Sequence, residues 1–175
     1  TNTMTKMMEV KAMLKSQYDM SDLGELHYCL GVEFTRQRTA RTITMSQSKY
    51  IEGVLKRFNM EGCKSIGTPL DVKEKLHKFT DEEYEGVKVE MHDVPYKAAV
   101  GSLMYAMVAT RPDLAFAMSV VSQHMSKSGP KHWAAVKRVM RYLQGTLNAK
   151  LVLGGKSLTL VGFCDADWAG DATDR

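Results

Sequence analysis

From Leu26 to Thr35 apolar and polar side chains alternate without a break, while on either side the apolar period lengthens to that of a helix. Leu26, Tyr28, Leu30, Val32 and Phe34 face one way, and His27, Cys29, Gly31, Glu33 and Thr35 the other, as in a strand with one buried face. Before it, Met7, Val10, Leu14 and Tyr18 form a helical stripe; after it, Ile51, Val54, Leu55 and Phe58 form another, capped by Ser46 or Ser48. A strand set among amphipathic helices predicts an α+β fold. Gly31 is the odd member of the alternation, because glycine inside a strand marks a bulge or a close approach of backbone or ligand. A polar loop with Arg36, Arg38 and Arg41 leads to a second short strand, Thr42 to Met45, so a hairpin is expected.

The stretch from Asp71 to Asp93 carries eight acids, four bases and few large apolar residues, and reads as a mobile connection. Beyond it, Pro95 and Pro112 each suit the first turn of a helix, one running through Tyr96, Val100, Leu103, Met104 and Met107, the other from Asp113 to about Met125. A third helix follows Gly129-Pro130 and stops near Gly145, with Trp133, Val136, Met140 and Leu143 on one side. Lys137, Arg138 and Arg141 occupy an adjoining arc of about 100°. Leu151 to Leu153 and Leu158 to Phe163 read as strands around the Gly154-Gly155 turn.

Charge is divided unevenly. Residues 1–113 carry 16 bases and 16 acids, whereas residues 114–164 carry seven bases and no acid, a footprint suited to a polyanion such as nucleic acid. No segment is long enough to span a membrane and no signal peptide opens the chain, so an intracellular location is expected. Cys29, Cys63 and Cys164 form no metal-binding pair and are expected as ordinary buried thiols. The chain starts at Thr1 rather than Met and ends four residues after Asp171, so it is expected to be a piece of something longer.

Asp165, Asp167 and Asp171 follow the expected strand 158–163, where carboxylates commonly begin a divalent-metal site for phosphodiester chemistry. Asp165 and Asp167, two apart, can share a strand face; Asp171 suits a turn. The run from Val94 through Tyr96, Gly101, Tyr105 and Thr110-Arg-Pro-Asp113 closely resembles the reverse transcriptase region of copia-type LTR retrotransposon Pol polyproteins. Asp22-Leu-Gly-Glu-Leu-His-Tyr-Cys-Leu-Gly31, Ser46-Gln-Ser-Lys-Tyr-Ile51, Gly67-Thr-Pro69, His132-Trp133, Arg141-Tyr-Leu-Gln-Gly-Thr146 and Asp165-Ala-Asp-Trp-Ala-Gly-Asp171 fit the family in order.

The resemblance implies a fragment: the end of a reverse transcriptase palm over 1–70, the connection 71–93, a helical thumb and connection over 94–150, and the start of an RNase H-like α/β domain over 151–175. Tyr28 to Phe34 resembles the hairpin that holds the primer end, with Leu30 and Gly31 at its tip. The helix with Gly101 and Tyr105 resembles the thumb helix along the minor groove. Arg36, Arg38, Lys137, Arg138 and Arg141 are expected to meet phosphates of an RNA/DNA template–primer duplex. Asp165 matches the first Mg²⁺-binding carboxylate of the RNase H site, with Asp167 as the competing candidate that could share its face; one aspartate cannot organise a two-metal reaction. No Tyr-x-Asp-Asp polymerase motif occurs in the 175 residues. Mg²⁺ therefore belongs to the parent enzyme, the rest of the Pol polyprotein is an expected partner, and this chain alone is expected to be inactive and to hold no metal stably. The competing reading is a co-opted noncatalytic protein such as a secreted effector.

Overall fold

The computed structural model describes residues 3–71, 73, 75–155, 159 and 161–164. Its elements run α1 (Met4–Gln17), β1 (Tyr28–Cys29), β2 (Val32–Gln37), β3 (Thr42–Ser46), α2 (Ser48–Arg57), α3 (Asp81–Met91), α4 (Tyr96–Ala109), a 3₁₀ turn (Pro112–Leu114), α5 (Ala115–Ser122), α6 (Pro130–Gly145) and β4 (Leu151–Gly154). The mixture of helices with one small antiparallel sheet is the expected α+β class.

The alternating run is two strands rather than one. Leu30 and Gly31 lie at φ 49° and 78°, and Cys29 pairs with Val32 across them, so the chain reverses in a two-residue turn of the type that matches strand twist. Period-two patterning survives a two-residue loop, which is why alternation alone concealed it. The hairpin β2–β3 forms as expected, from Glu33 opposite Ser46 to Gln37 opposite Thr42. β4 then adds antiparallel to β3, Leu151 opposite Met45 and Gly154 opposite Thr42. Residues 151–154 thus complete the hairpin's sheet. Gly154 is required there: with φ 95°, a Cβ would sit 2.3 Å from the Arg41 carbonyl oxygen. Among the described residues of the expected strand 158–163 none is paired in a sheet, and Val161 and Phe163 are exposed.

The core lies between helices. Ile51, Val54 and Leu55 of α2 pack with Ala99, Val100 and Leu103 of α4, Met118 and Val121 of α5, and Val136, Met140 and Leu143 of α6. Each buried large apolar side chain contributes about 1.5–3 kcal/mol. α2 ends in a left-handed Asn59, with the Met60 amide bonding the Leu55 carbonyl and the Asn59 amide the Lys56 carbonyl. At the other end of the bundle the Tyr96 hydroxyl donates to the Val121 carbonyl at 2.7 Å.

The stretch 71–93 contains helix α3, whose start is a reciprocal cap: Thr80 Oγ1 accepts from the Glu83 amide and Glu83 accepts from the Thr80 amide. Its polar composition still shows, because Met91 is its one buried residue. Of the thiols expected to be buried, Cys29 and Cys164 are exposed. Among the described residues, no helix is long and apolar enough to cross a membrane.

Candidate nucleic-acid interface

The turn at Leu30-Gly31 does not project freely; it leans on α4. Leucine at φ 49° is sterically disfavoured, at a cost of roughly 1–2 kcal/mol, so something must hold it. The Tyr105 hydroxyl donates a hydrogen bond to the Leu30 carbonyl. Beneath the turn, the Tyr50 ring lies 3.7 Å from the point where a Gly31 Cβ would be. Tyr50 meets Tyr105 edge to face, with centroids 5.1 Å apart, and its hydroxyl donates to the Ser102 carbonyl at 3.0 Å. Burial pushes the Tyr50 hydroxyl above the ordinary phenol range, so it stays a donor.

Leu30, Gly31 and Tyr105, singled out separately in the sequence, thus meet at one place. Gly101 lies one turn along α4 from Tyr105 on the same side. Nothing lies within 4 Å of a Cβ added to it. Lys97, Ala98, Gly101, Met104, Tyr105 and Val108 form an open stripe at helical spacing, while Val100, Leu103 and Ala106 face the core. Leu30, 81% exposed, joins this surface at Tyr105.

The expected basic contacts are distributed differently. Arg36 lies near the far end of β2 and Arg38 just past it, about 15–25 Å along the chain direction from the tip. Arg36 helps line a shallow hollow with Glu25, His27 and Phe34, and Arg38 pairs with Glu25 at 3.3 Å, both partners largely exposed. On α6, Arg138 donates to Thr68 Oγ1 at 2.9 Å and sits 3.5 Å from an Asp71 carboxylate oxygen. Arg141 donates to the Lys64 carbonyl at 2.8 Å. These two arginines hold the segment 64–71 against the helix, and Lys137 is half-buried beside them. Periodicity located their face without showing what covers it.

A second polar centre had no role assigned from sequence. Arg111 is 2% exposed; its guanidinium grips both Asp113 oxygens, at 3.0 and 2.7 Å, and also reaches the Thr146 carbonyl and hydroxyl at 3.1 and 2.7 Å. Burial opposes the Asp113 charge, yet hydrogen bonds from Arg111 and Tyr142 outweigh it and hold the carboxyl below its usual range. Close by, Thr110 donates to buried Gln47 at 2.8 Å and Ser48 donates to the Leu147 carbonyl at 2.8 Å. The ends of α4 and α6 are thereby fastened to the start of α2. The signal was present in Thr110-Arg-Pro-Asp113: a charged pair two residues apart, flanked by apolar helices.

A third centre joins 77–80 to α6. His132 is buried; its Nδ1 accepts from the Gly129 amide at 2.9 Å and its Nε2 contacts the His77 carbonyl at 3.0 Å. Its ring stacks on His124 at 4.0 Å and meets Phe79 at 4.9 Å. Burial holds its pKa below the ordinary histidine value. Asp165 and Asp167 lie outside the described residues. Among the described residues, no three His, Cys, Asp or Glu side chains are grouped to share a metal ion.

The family model for reverse transcriptase (RNA-dependent DNA polymerase) matches residues 1–72. The chain is 47% identical over 167 residues to the retrovirus-related Pol polyprotein from transposon TNT 1-94 of Nicotiana tabacum, which covers 95% of this chain and 13% of that protein. It is 39% identical over 162 residues to the Pol polyprotein from transposon RE1 of Arabidopsis thaliana, covering 92% of this chain and 10% of that one. An uncharacterized mitochondrial protein of Arabidopsis thaliana is 33% identical over 178 residues, covering 100% of this chain and 68% of that protein. No solved structure matches. The chain spans about a tenth of the Pol relatives' length, and within that span it belongs to the retrovirus-related Pol polyproteins of transposons, its residues 1–72 matching their reverse transcriptase.

Proposed function

We propose that this part of the polyprotein holds the template–primer duplex during RNA-directed DNA synthesis. In this reading β1–β2 is the hairpin that supports the primer end, α4 is the thumb helix along the minor groove, and residues beyond Gly154 lead toward an RNase H domain. The observation that carries it is the meeting of the Leu30-Gly31 turn with the open stripe of α4 through Tyr105. A groove wall needs small residues and a flat ring where backbone approaches nucleic acid; Gly101 and Tyr105 supply both. Lys97, Arg36 and Arg38 add positive charge, with Lys137 as a further contributor. Arg138 and Arg141 serve first as anchors of 64–71 and reach phosphate only at the edge of that contact.

Chemistry at a metal is assigned to the longer polyprotein. Asp165, with Asp167, would hold Mg²⁺ in its RNase H site, where the ions supply an activated water and stabilise the leaving oxygen. The present chain then binds the duplex without extending or cleaving it. Filter binding of the purified chain to a primer–template duplex across salt concentrations tests this. Affinity is expected to fall steeply with added salt as released counterions lose their advantage. Binding indifferent to salt contradicts the proposal.

A further inference from the structure

Tyr50 touches both halves of the proposed interface without belonging to either. Its ring supports Gly31 from below and meets Tyr105 edge to face, while its hydroxyl reaches the Ser102 carbonyl on α4. It comes from the first turn of α2, whose Ile51, Val54 and Leu55 are buried in the core, so its base is fixed. Tyr105 in turn commits its hydroxyl to the Leu30 carbonyl. We infer that Tyr50 is a positioning residue that sets the spacing between the hairpin tip and α4, and that Tyr105 meets nucleic acid with its ring face, its hydroxyl hydrogen being held by Leu30.

This inference rests on the duplex-binding reading and deepens it. A rigid spacing lets the two elements contact the duplex together. Without the brace, each contact line engages separately and fewer phosphates are neutralised in one binding event. The committed hydroxyl has a second consequence: with its hydrogen given to Leu30, Tyr105 has no donor left for a base-edge acceptor, and its ring face is what it offers to sugars and bases.

The test compares the full 175-residue wild-type chain with Tyr50→Leu, Tyr50→Phe and Tyr105→Phe. Fluorescence anisotropy with a labelled mixed-sequence primer–template duplex gives affinity over a salt series, and circular dichroism confirms folding. Tyr50→Leu is expected to bind about tenfold more weakly, from loss of the edge-to-face pair and its support, with a shallower dependence of log affinity on log salt. Tyr50→Phe keeps the ring and should stay within about twofold of wild type with the same slope. Tyr105→Phe, which keeps the fold's apolar contacts but removes the donor to Leu30, should also flatten the slope. The salt slope separates positioning from general damage, because a partly unfolded sample loses binding-competent molecules without changing the phosphates each one neutralises. Wild-type slope in both Tyr50→Leu and Tyr105→Phe overturns the positioning role while leaving duplex binding standing. Failure of wild type to bind the duplex at all removes the functional reading and this inference with it.

Discussion

α1 and α6 are helices of similar length, 14 and 16 residues, and opposite fate. α6 buries His132, Ala135, Val136, Val139, Met140 and Leu143. α1 buries none, and Met4, Met8, Val10, Met13 and Leu14 stand exposed on it, with Tyr18 exposed just past its end. Both have apolar stripes in the sequence, so periodicity predicts the element in each case and the partner in neither. The Thr3 cap closes α1's own first turn, and a 2.8 Å Lys11–Asp22 bridge between half-exposed side chains ties the helix to the segment that follows it. An isolated helix of this length is marginal in water, whereas α6 draws its stability from packing.

The sharpest way to break this contrast is a matched pair of truncations. Leu143→Ala should cost about 2–5 kcal/mol, because it opens a cavity in the helical core, while Met13→Ala should stay within about 0.5 kcal/mol. Urea unfolding of both proteins measures the difference; equal losses would mean that α1 is packed after all.

Arg111→Ala extends the comparison to polar burial and should cost about 3 kcal/mol, since it strands Asp113 and the groups at Thr146. Arg38→Ala, at an exposed pair with Glu25, should change stability by under about 1 kcal/mol. Thermal melts of the two variants separate a buried anchor from a surface pair.

Gly101→Ala should go the other way. Its Cβ meets open space in mid-helix, so helix propensity predicts a gain of about 0.5–1 kcal/mol. A loss of stability would show that α4 packs on something at that position.

The smallest effect is graded with pH. The folded His132 value is lowered from 6.5 by burial, so the unfolded chain takes up the extra proton first. Stability should be full above pH 6.5 and decline as pH falls from there toward the lowered folded value. His132→Asn, which can still accept from the Gly129 amide, should lack that component when urea midpoints are followed against pH. The same decline in both proteins would assign the effect elsewhere.

What could be read in advance followed local rules. Gly31 stood out because it broke a strand's chemistry, and the structure places it in a left-handed turn. The α4 and α6 boundaries followed from proline and glycine. α3 had a readable cap in Thr80-x-x-Glu83, obscured by composition. Partners that come from far along the chain were not legible: β4 beside β3, segment 64–71 under Arg138 and Arg141, and Tyr50 between the hairpin and α4. Each depends on packing between segments whose separation leaves no periodic trace.

On the duplex-binding reading, the open stripe of α4 beside the hairpin tip is a wall for nucleic acid. Equilibrium binding of a primer–template duplex to Gly101→Leu tests it most directly, because the side chain projects into space the fold leaves empty. A protein that melts no lower than wild type and binds the duplex about tenfold or more weakly is the predicted result. Unchanged affinity in an equally stable protein would contradict it.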